Sequence, residues 1–424
     1  MDGDVLRHVV IANDHGHVNG GAAKVAIESA LWLKDRGLGV SFVAGSGPLD
    51  PRLADAGVEC VAISPYDVHT DPDRRKAMQN GLWNRDAARV LAGHIGRHDP
   101  RSTVVHLHSW TKALSPSVGP VITGSAAAHV ATLHEYFLAC PNGAFYDYNA
   151  GQVCTKRAMG LSCLTTNCDA RRPAHKAFRV ARQAILRSAG RLPGGLREII
   201  NISPRQRSII GGYFSEEARW HHLPNAVGDR PEQRVPVEDS NVFLFVGRIA
   251  PEKGAVIAAE AAKRAGVRMV FAGDGPDWDA VARAHPGAEF LGWLGAKELD
   301  RWTRQARCLI FPSLWYEGYP LVVADALRLG VPVLVSTASN ATALITDGQN
   351  GLHVPAGDVE AWAGAMTRMK PDHVARAMGE AAFRSGADLL GYDEYTDRLL
   401  GIYESVLARK QQRNSRPVLQ GVEG

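Results

Sequence analysis

One stretch in the second half of the chain constrains the fold more than any other. Residues 307–311 predict a short buried strand, and Glu317 follows on a loop. Pro320 suits the first turn of a helix, Gly330 suits its end, and residues 331–336 predict the next strand. Strand, loop, helix and strand in this order are typical of an open α/β sheet, where ligands bind at the carboxyl ends of the strands.

The same alternation continues through the whole chain and predicts doubly wound parallel sheets. At 424 residues the chain is long enough for two domains. A polar, proline-containing linker runs from His222 to about Ser240 and places the boundary near residue 225. Strands are predicted at residues 7–13, 40–44, 60–63, 103–107, 128–133 and 199–202, and then at 242–245, 268–272, 289–290, 308–311, 333–335 and 352–354.

Four segments are therefore expected. The N-terminal Rossmann-like domain covers residues 1–225, with a cysteine-containing insert at about 138–172. The C-terminal domain covers residues 226–391 and is followed by a helix at 392–412. Residues 413–424 are predicted to be a disordered tail.

The composition narrows the function classes. Charged residues make up 22% and hydrophobic residues 45% of the chain, which is typical of a globular protein. A net charge of +4 is too small to predict a nucleic-acid partner. No apolar run is long enough for a membrane span, and the acidic N-terminus does not resemble a signal peptide. Six cysteines do not suggest a secreted disulfide scaffold, so a cytoplasmic protein is expected.

Glu317 and Asp325 are predicted to lie near one crevice, where two acids can hold the hydroxyls of a sugar and a ribose. The segment from Pro312 to Leu327 resembles the Glu-x7-Glu motif of retaining glycosyltransferases with the GT-B fold, of the large family 4, with Asp325 as the second acid. Acids that favour the helix dipole are the alternative interpretation. The resemblance implies two doubly wound Rossmann-like domains facing a cleft, with the C-terminal helix packed back on the N-terminal domain. It also implies acceptor binding by the N-terminal domain, nucleotide-sugar binding by the C-terminal domain, and donor-site positions at Tyr319, Pro320 and Leu321.

A phosphate site is predicted where the second domain begins. A strand ends at Gly247, and Arg248 and Lys253 follow before a helix. Glycine lets a ligand approach the backbone, and the two cations suit a diphosphate. The segment resembles the family pattern Gly-Arg-x4-Lys-Gly, which implies that Arg248 and Lys253 neutralise the leaving nucleotide diphosphate without a catalytic metal. A solvated basic loop is the alternative.

Two glycine-rich turns are weaker candidates. Gly273 and Gly275 resemble the family turn Gly-x-Gly-Pro that lines the nucleotide side of the cleft, although the turn itself needs these residues. Gly20 and Gly21 lie between the first strand and its helix, where the resemblance implies an approach to the donor phosphate or the acceptor. A tight strand-to-helix turn explains the same residues.

His134 ends a predicted strand and is followed by Glu135. The pair resembles a His-Asp pair of the family, and the resemblance implies that His134 contacts the donor sugar near the reacting centre. A histidine in a purely structural role is the alternative. His106 and His108 end the preceding strand and are weaker candidates for the acceptor side.

Four cysteines cluster in the insert, and a structural zinc site would fix a segment with little core of its own. Their spacing lacks a Cys-x-x-Cys pair, so free thiols or a disulfide remain alternatives. A site with four thiolates has no open position for catalysis. The candidate ligands are Cys140, Cys154, Cys163 and Cys168.

Residues 156–207 carry 12 Lys or Arg and two acids. The helical pattern at 176–187 is basic on one side and predicts peripheral contact with an anionic membrane or a lipid diphosphate. A solvated face is the alternative, and no motif indicates nucleic acid. This membrane contact would be at the inner face.

Taken together, these features predict a glycosyltransferase that moves a sugar from a nucleotide-diphosphate sugar to a hydroxyl of a glycan or lipid-linked acceptor, in polysaccharide or glycolipid synthesis. Glu317, His134, Arg248 and Lys253 are the predicted catalytic residues. Two alternatives stay open. One is a catalytically degenerate protein of the same fold that binds sugar nucleotides or glycans, and the other is a GT-B sugar-nucleotide epimerase.

Overall fold

A computed structural model describes residues 5–414 and divides into two compact units. Unit 1 contains the chain up to Pro141, Ala177–Pro224 and the chain from Asp393. Unit 2 contains Asn142–Lys176 and Asn225–Tyr392. Each unit holds one parallel sheet, which confirms the predicted α/β class with two Rossmann-like halves. The strands, in chain order, are β1 (His8–His15), β2 (Gly39–Ser46), β3 (Glu59–Ser64), β4 (Thr103–Leu107), β5 (Ala128–Leu133), β6 (Tyr146–Asp147), β7 (Gln152–Val153), β8 (Glu198–Asn201), β9 (Arg219–His222), β10 (Val242–Val246), β11 (Arg268–Ala272), β12 (Glu289–Gly292), β13 (Ala306–Phe311), β14 (Val333–Ser336) and β15 (Gly351–Val354).

The strand order places a ligand crevice in each sheet. In unit 1 the order is β3-β2-β1-β4-β5-β8-β9, and in unit 2 it is β12-β11-β10-β13-β14-β15. All neighbouring strands in both sheets are parallel, whereas β6 and β7 form a separate antiparallel pair. The chain reverses its direction of winding between β1 and β4, and again between β10 and β13. Ligands bind at such switch points in open α/β sheets.

Helices cover these sheets, which explains why the central strands are almost continuously apolar. Helix α12 illustrates the sequence signals, because it begins directly after Pro320 and ends at Gly330, whose φ of 80° is left-handed. Within the described residues, no helix combines the length and apolarity that a membrane crossing needs. The helices are α1 (Gly21–Asp35), α2 (Pro51–Asp55), α3 (Arg74–Leu82), α4 (Arg85–Gly96), α5 (Val118–Thr123), α6 (Leu161–Thr165), α7 (Pro173–Arg187), α8 (Pro204–Ile210), α9 (Ala255–Ala265), α10 (Trp278–Ala284), α11 (Ala296–Arg304), α12 (Leu321–Leu329), α13 (Val359–Arg368), α14 (Asp372–Ser385) and α15 (Tyr392–Asn414).

The sequence did not predict three strands. Strand β9 has the sequence Arg-Trp-His-His and lies at the edge of its sheet, where little apolar surface is buried. Strands β6 and β7 have two residues each and form a hairpin within the cysteine-containing segment. The structure groups residues 142–176 with unit 2, whereas the sequence placed the insert in the N-terminal domain. Of the predicted disordered tail, residues 415–424 lie outside the described residues, and 413–414 end α15.

Candidate active site

The Glu317 carboxylate is the centre of a polar cluster in unit 2. The residue lies on the loop between β13 and α12 and is 8% exposed. Its Oε1 accepts hydrogen bonds from Ser313 Oγ at 2.6 Å, Trp315 Nε1 at 2.8 Å and Lys253 Nζ at 2.7 Å. All the side-chain donors that the described residues offer to this carboxylate converge on Oε1. The group is therefore fixed in orientation, with Oε2 left to accept from a ligand.

Lys253 reaches Glu317 because the backbone after it packs closely on the end of β13. Lys253 ends a short 3-10 turn that follows β10, and Gly254 comes next with a φ of 70°. A Cβ atom at Gly254 would lie 2.3 Å from the carbonyl oxygen of Pro312. Only glycine permits this approach, so Gly254 brings the loops after β10 and β13 together.

Arg248 lies on the same loop and contacts a buried acid that the sequence did not single out. Its Nη2 donates to Oε1 of Glu252, and Glu252 is 1% exposed. The Glu252 carbonyl also accepts from the Leu314 amide at 2.8 Å, which connects this loop to the one that carries Glu317. The Arg248 side chain is 59% exposed, so the guanidinium remains accessible to a ligand.

Gly273 and Gly275 support the same loop from β11. A Cβ atom at Gly273 would lie 1.9 Å from the Gly247 carbonyl oxygen, and one at Gly275 would lie 2.2 Å from that of Ile249. Close backbone packing is therefore a sufficient reason for both glycines. Direct contact of Gly247, Gly273 or Gly275 with a nucleotide stays a prediction.

Asp325 lies in the second turn of α12, which starts at Leu321 after Pro320. Its side chain is 32% exposed, and the Arg328 Nε lies 3.8 Å from Oδ1. Burial, with a contribution from the Asp325 charge, raises the pKa of the Tyr319 hydroxyl, so Tyr319 stays protonated at neutral pH. The predicted contacts of these residues with ribose and nucleotide stay predictions.

Asn340 is a further polar contact of Glu317 that the sequence did not predict. Its Nδ2 donates to the backbone carbonyl of Glu317. Asn340 begins a short 3-10 helix, which Ser339 caps by accepting from the Ala341 amide at 3.1 Å. The sequence carries one signal for this contact, because polar residues interrupt an otherwise apolar region here.

In unit 1, His134 follows β5 and meets the histidine that follows the neighbouring strand. The His108 Nδ1 and the His134 Nε2 are 2.9 Å apart. The two rings are almost coplanar, with an angle of 18°. Burial lowers the pKa of His134 to about 4, so the imidazole is neutral at pH 7. The neutral ring can donate or accept one hydrogen bond with a sugar hydroxyl.

Gly20 and Gly21 lie at the amino end of α1 and are both exposed. This helix has no acid in its first turn, and no side chain caps its N-terminus. A Cβ atom at Gly20 would meet nothing within 4 Å. Unpaired amides at a helix start attract anions, so the geometry is compatible with the predicted approach to a phosphate.

The cysteine-containing segment does not gather a metal site among the residues that the structure describes, where no three His, Cys, Asp or Glu side chains are close enough to hold an ion. Instead, the ammonium of Lys176 lies 3.2 Å from Cys168 Sγ and 3.7 Å from Cys163 Sγ. The structural zinc at Cys140, Cys154, Cys163 and Cys168 therefore stays a prediction without structural support.

Two cations of the basic segment are buried. Lys176 and Arg182 are each 5% exposed. Arg182 donates to the Thr111 carbonyl at 2.8 Å and lies over the rings of Trp110 and Phe137. Burial lowers the pKa of Arg182 to about 10. The basic face predicted for residues 176–187 is thus partly internal, and membrane contact stays a prediction.

Comparisons with known proteins identify relatives in sequence and in fold. Residues 240–372 match the family model described as Glycosyl transferases group 1. The chain is similar to D-inositol 3-phosphate glycosyltransferase of Mycobacterium marinum (strain ATCC BAA-535 / M), with 26% identity over 92% of this chain and 82% of that protein. Among solved structures, it is similar to sucrose-phosphate synthase from Thermosynechococcus elongatus (TM-score 0.68, 16% identity, 95% and 100% of the two chains). It is also similar to Anabaena Alr3699/HepE in complex with UDP (TM-score 0.64, 15% identity, 94% and 99%). The fold is therefore GT-B, and residues 240–372 are similar to the glycosyl transferases of group 1.

Proposed function

We propose that this glycosyltransferase moves a sugar from a nucleotide-diphosphate sugar to a hydroxyl of an acceptor, with retention of configuration at the anomeric carbon. The contact between Lys253 and Glu317 carries the proposal. It joins a cation and an acid at the carboxyl ends of β10 and β13, at the switch point of the unit 2 sheet and within the matched residues 240–372. UDP is the first nucleotide to test, since the Anabaena neighbour was solved with UDP.

The cations serve the leaving group. When the bond to the diphosphate breaks, negative charge grows on the phosphate oxygens, and fixed positive groups stabilise that charge. Arg248 supplies a planar guanidinium that is largely exposed, and Lys253 supplies an ammonium at the end of the same loop. Glu252 holds the guanidinium and Glu317 holds the ammonium, so both cations are oriented before the donor arrives.

The acids serve the sugar parts of the donor. Glu317 has three donors on Oε1, so its Oε2 is oriented to accept from a hydroxyl of the transferred sugar. Asp325, on the helix that follows, is assigned to the ribose hydroxyls. His134 of unit 1 is assigned to a hydroxyl near the anomeric carbon.

The bond changes of the proposed transfer balance without a further reactant. The acceptor oxygen forms a bond to the anomeric carbon while the bond from that carbon to the diphosphate oxygen breaks. The proton of the acceptor hydroxyl passes to an oxygen of the leaving phosphate. Attack and departure on one face give retention.

The acceptor is proposed to be a glycan or a lipid-linked saccharide. Exposed arginines of the cysteine-containing segment support contact with anionic headgroups, which attract basic side chains. The helix α6 adds Leu161, which is 83% exposed, to the same segment. The exposed arginines are Arg157, Arg171 and Arg172.

A donor panel tests the proposal. The full chain is incubated with UDP-, GDP-, ADP- and dTDP-sugars, and the unfolding temperature is measured for each. Binding to the folded state raises that temperature, so one nucleotide class should stand apart from the others. The sugar product made with that donor is then examined by NMR.

The anomeric configuration of the product decides the mechanism. Retention is expected, and inversion would contradict the proposed roles of Glu317 and the diphosphate. Binding of a nucleotide sugar without any transfer would favour the degenerate alternative. Conversion of the donor to an epimer would favour the epimerase.

A further inference from the structure

A chain of hydrogen bonds runs from helix α15 to His134, entirely within unit 1. The Tyr403 hydroxyl lies 2.6 Å from His106 Nδ1, and His106 Nδ1 lies 3.2 Å from His108 Nε2. The His108 Nδ1 then lies 2.9 Å from His134 Nε2. Tyr403 and His106 are fully buried, and His108 is 4% exposed. Side chains that water cannot reach must satisfy each other, so the position of one proton fixes the next.

Tyr403 sets the direction of donation in this chain of hydrogen bonds. Burial raises the pKa of its hydroxyl well above the usual value, so the phenol carries its proton. Among the residues that the structure describes, His106 Nδ1 is the acceptor within reach of that proton. Tyr403 therefore donates, and His106 Nδ1 is unprotonated. The planes of the Tyr403 and His106 rings meet at 81°, and the ring centroids are 5.6 Å apart. This arrangement agrees with a hydroxyl that approaches the edge of the imidazole.

The remaining protons follow from this one. Burial lowers the pKa of His106 to about 3 and that of His108 well below 6.5, so both rings are neutral and each carries one proton. The proton of His106 is then on Nε2, which lies 2.7 Å from the Thr132 hydroxyl oxygen and donates to it.

The proton positions of His108 and His134 follow in the same way. His108 Nε2 lies 3.2 Å from His106 Nδ1, whose single lone pair already accepts the Tyr403 proton at 2.6 Å. A second lone pair facing the first would repel it, so His108 Nε2 carries its proton toward His106 Nδ1 and shares that lone pair as a weaker second donor. The His108 Nδ1 is then unprotonated and accepts from His134 Nε2. Because His134 is neutral as well, its other nitrogen, Nδ1, is left with a lone pair.

We infer that Tyr403, acting through His106 and His108, fixes His134 in the tautomer whose Nδ1 accepts a hydrogen bond from a hydroxyl of the bound sugar. Tyr403, His106 and His108 are positioning residues, and only His134 touches the substrate. The role toward the sugar rests on the proposed function, whereas the tautomer does not. The inference gives the C-terminal helix a part in the chemistry in addition to packing.

Nitrogen-15 NMR of the full chain, labelled on histidine, tests the tautomer without any substrate. The His134 signals are identified by their loss in His134→Gln. In the wild type we expect a protonated Nε2 and an unprotonated Nδ1 at pH 7.5. A protonated Nδ1 would overturn the inference.

Two tyrosine variants separate positioning from packing. Tyr395 is on the same helix and is also buried, but it packs edge-to-face on Trp32 instead of contacting the histidines. We expect Tyr403→Phe to shift the His134 nitrogens toward a mixture of the two tautomers, and Tyr395→Phe to leave them unchanged. Equal spectra for the two variants would overturn the inference.

Turnover with the donor found by the panel gives the second measurement. Tyr403→Phe is expected to lower kcat about threefold to tenfold relative to Tyr395→Phe, with the KM for the donor unchanged within twofold. An unchanged kcat would contradict the proposed contact between the fixed His134 tautomer and the sugar. If no nucleotide sugar is turned over, the proposed function fails while the NMR result still decides the tautomer.

A second variant keeps the inference testable if Tyr403→Phe does not fold. His106→Leu removes the ring that receives the Tyr403 proton and should release the His134 tautomer. Thr132→Val leaves the Tyr403 hydrogen bond to His106 in place and should keep the wild-type tautomer. A wild-type His134 spectrum in His106→Leu would overturn the inference.

Discussion

The ammonium of Lys253 lies 2.7 Å from Oε1 of Glu317, although 64 positions separate the two residues in the chain. The pairing arises because β10 and β13 are neighbours in the sheet, so the loops at their carboxyl ends meet. In the proposed function, the same pairing orients a cation for the leaving diphosphate and an acid for the sugar.

Glu317→Gln is predicted to keep the fold and to lower turnover about a hundredfold or more, because the amide removes the negative charge that Lys253 contacts and that is proposed to bind the donor sugar. Turnover and the unfolding temperature are the two measurements. Glu360→Gln is the matched control, since its side chain is 77% exposed in the same unit. Wild-type turnover in Glu317→Gln would contradict the proposed role of Glu317 at the donor sugar.

Trp315→Phe is predicted to lower kcat about tenfold to a hundredfold while UDP affinity stays within twofold. The change removes the indole N–H that donates to Glu317 at 2.8 Å and keeps a ring near Lys253. A hydrogen bond to a charged group contributes roughly 1.5–3 kcal/mol. If kcat remains at the wild-type level, the orientation of Glu317 does not depend on this donor.

Acid should destabilise the protein before its carboxylates protonate. The unfolded chain takes up histidine protons as the pH falls through 6.5, whereas the folded state excludes them until about pH 4 or below. The free energy of unfolding should therefore fall between pH 6.5 and 4.5, at roughly 1.4 kcal/mol per pH unit for each excluded proton. The histidines with lowered pKa values include His8 (about 4), His106 (about 3), His108, His129 (about 4) and His134 (about 4).

Urea unfolding at pH 7.5, 6.5, 5.5 and 4.5 measures this dependence. Replacement of His129 by Asn should reduce the slope with pH, since His129 is 7% exposed. Replacement of the exposed Gln349 by Asn should leave the slope unchanged, because neither side chain takes up a proton in this range. A stability that is constant from pH 6.5 to 4.5 would show that the histidines titrate normally.

The zinc prediction is tested by elemental analysis. If Cys140, Cys154, Cys163 and Cys168 bind zinc, the purified protein should carry about one equivalent, and Cys168→Ser should lower it while Cys308→Ser should not. Lys176 would then have to leave its place beside Cys168, 3.2 Å from the sulfur. A metal-free protein of full stability would leave these residues as free thiols.

Local patterns predicted the framework of the fold, but side-chain contacts depended on packing between distant segments. The bounds of β4, β5 and β11 follow directly from their apolar runs. Edge strand β9 carried too little apolar pattern to be recognised. Glu317 could be identified because it follows a strand and precedes a proline, whereas its contact with Asn340 requires the neighbouring strand β14 to be in place.

The histidines illustrate the same limit. Each of His106, His108 and His134 could be placed at a strand end from the sequence. Their connection to Tyr403 could not, because 297 positions separate Tyr403 from His106.

The most direct test of the central claim is calorimetric titration of UDP and GDP into the wild type and the Arg248→Ala/Lys253→Ala double variant. Each lost contact to a phosphate should cost roughly 1.5–3 kcal/mol, so the nucleotide that binds the wild type should bind the double variant at least about tenfold more weakly. Lys263→Ala, an exposed lysine on α9, should bind like the wild type. Equal affinity in the wild type and the double variant would contradict the account, because the diphosphate would then lie elsewhere.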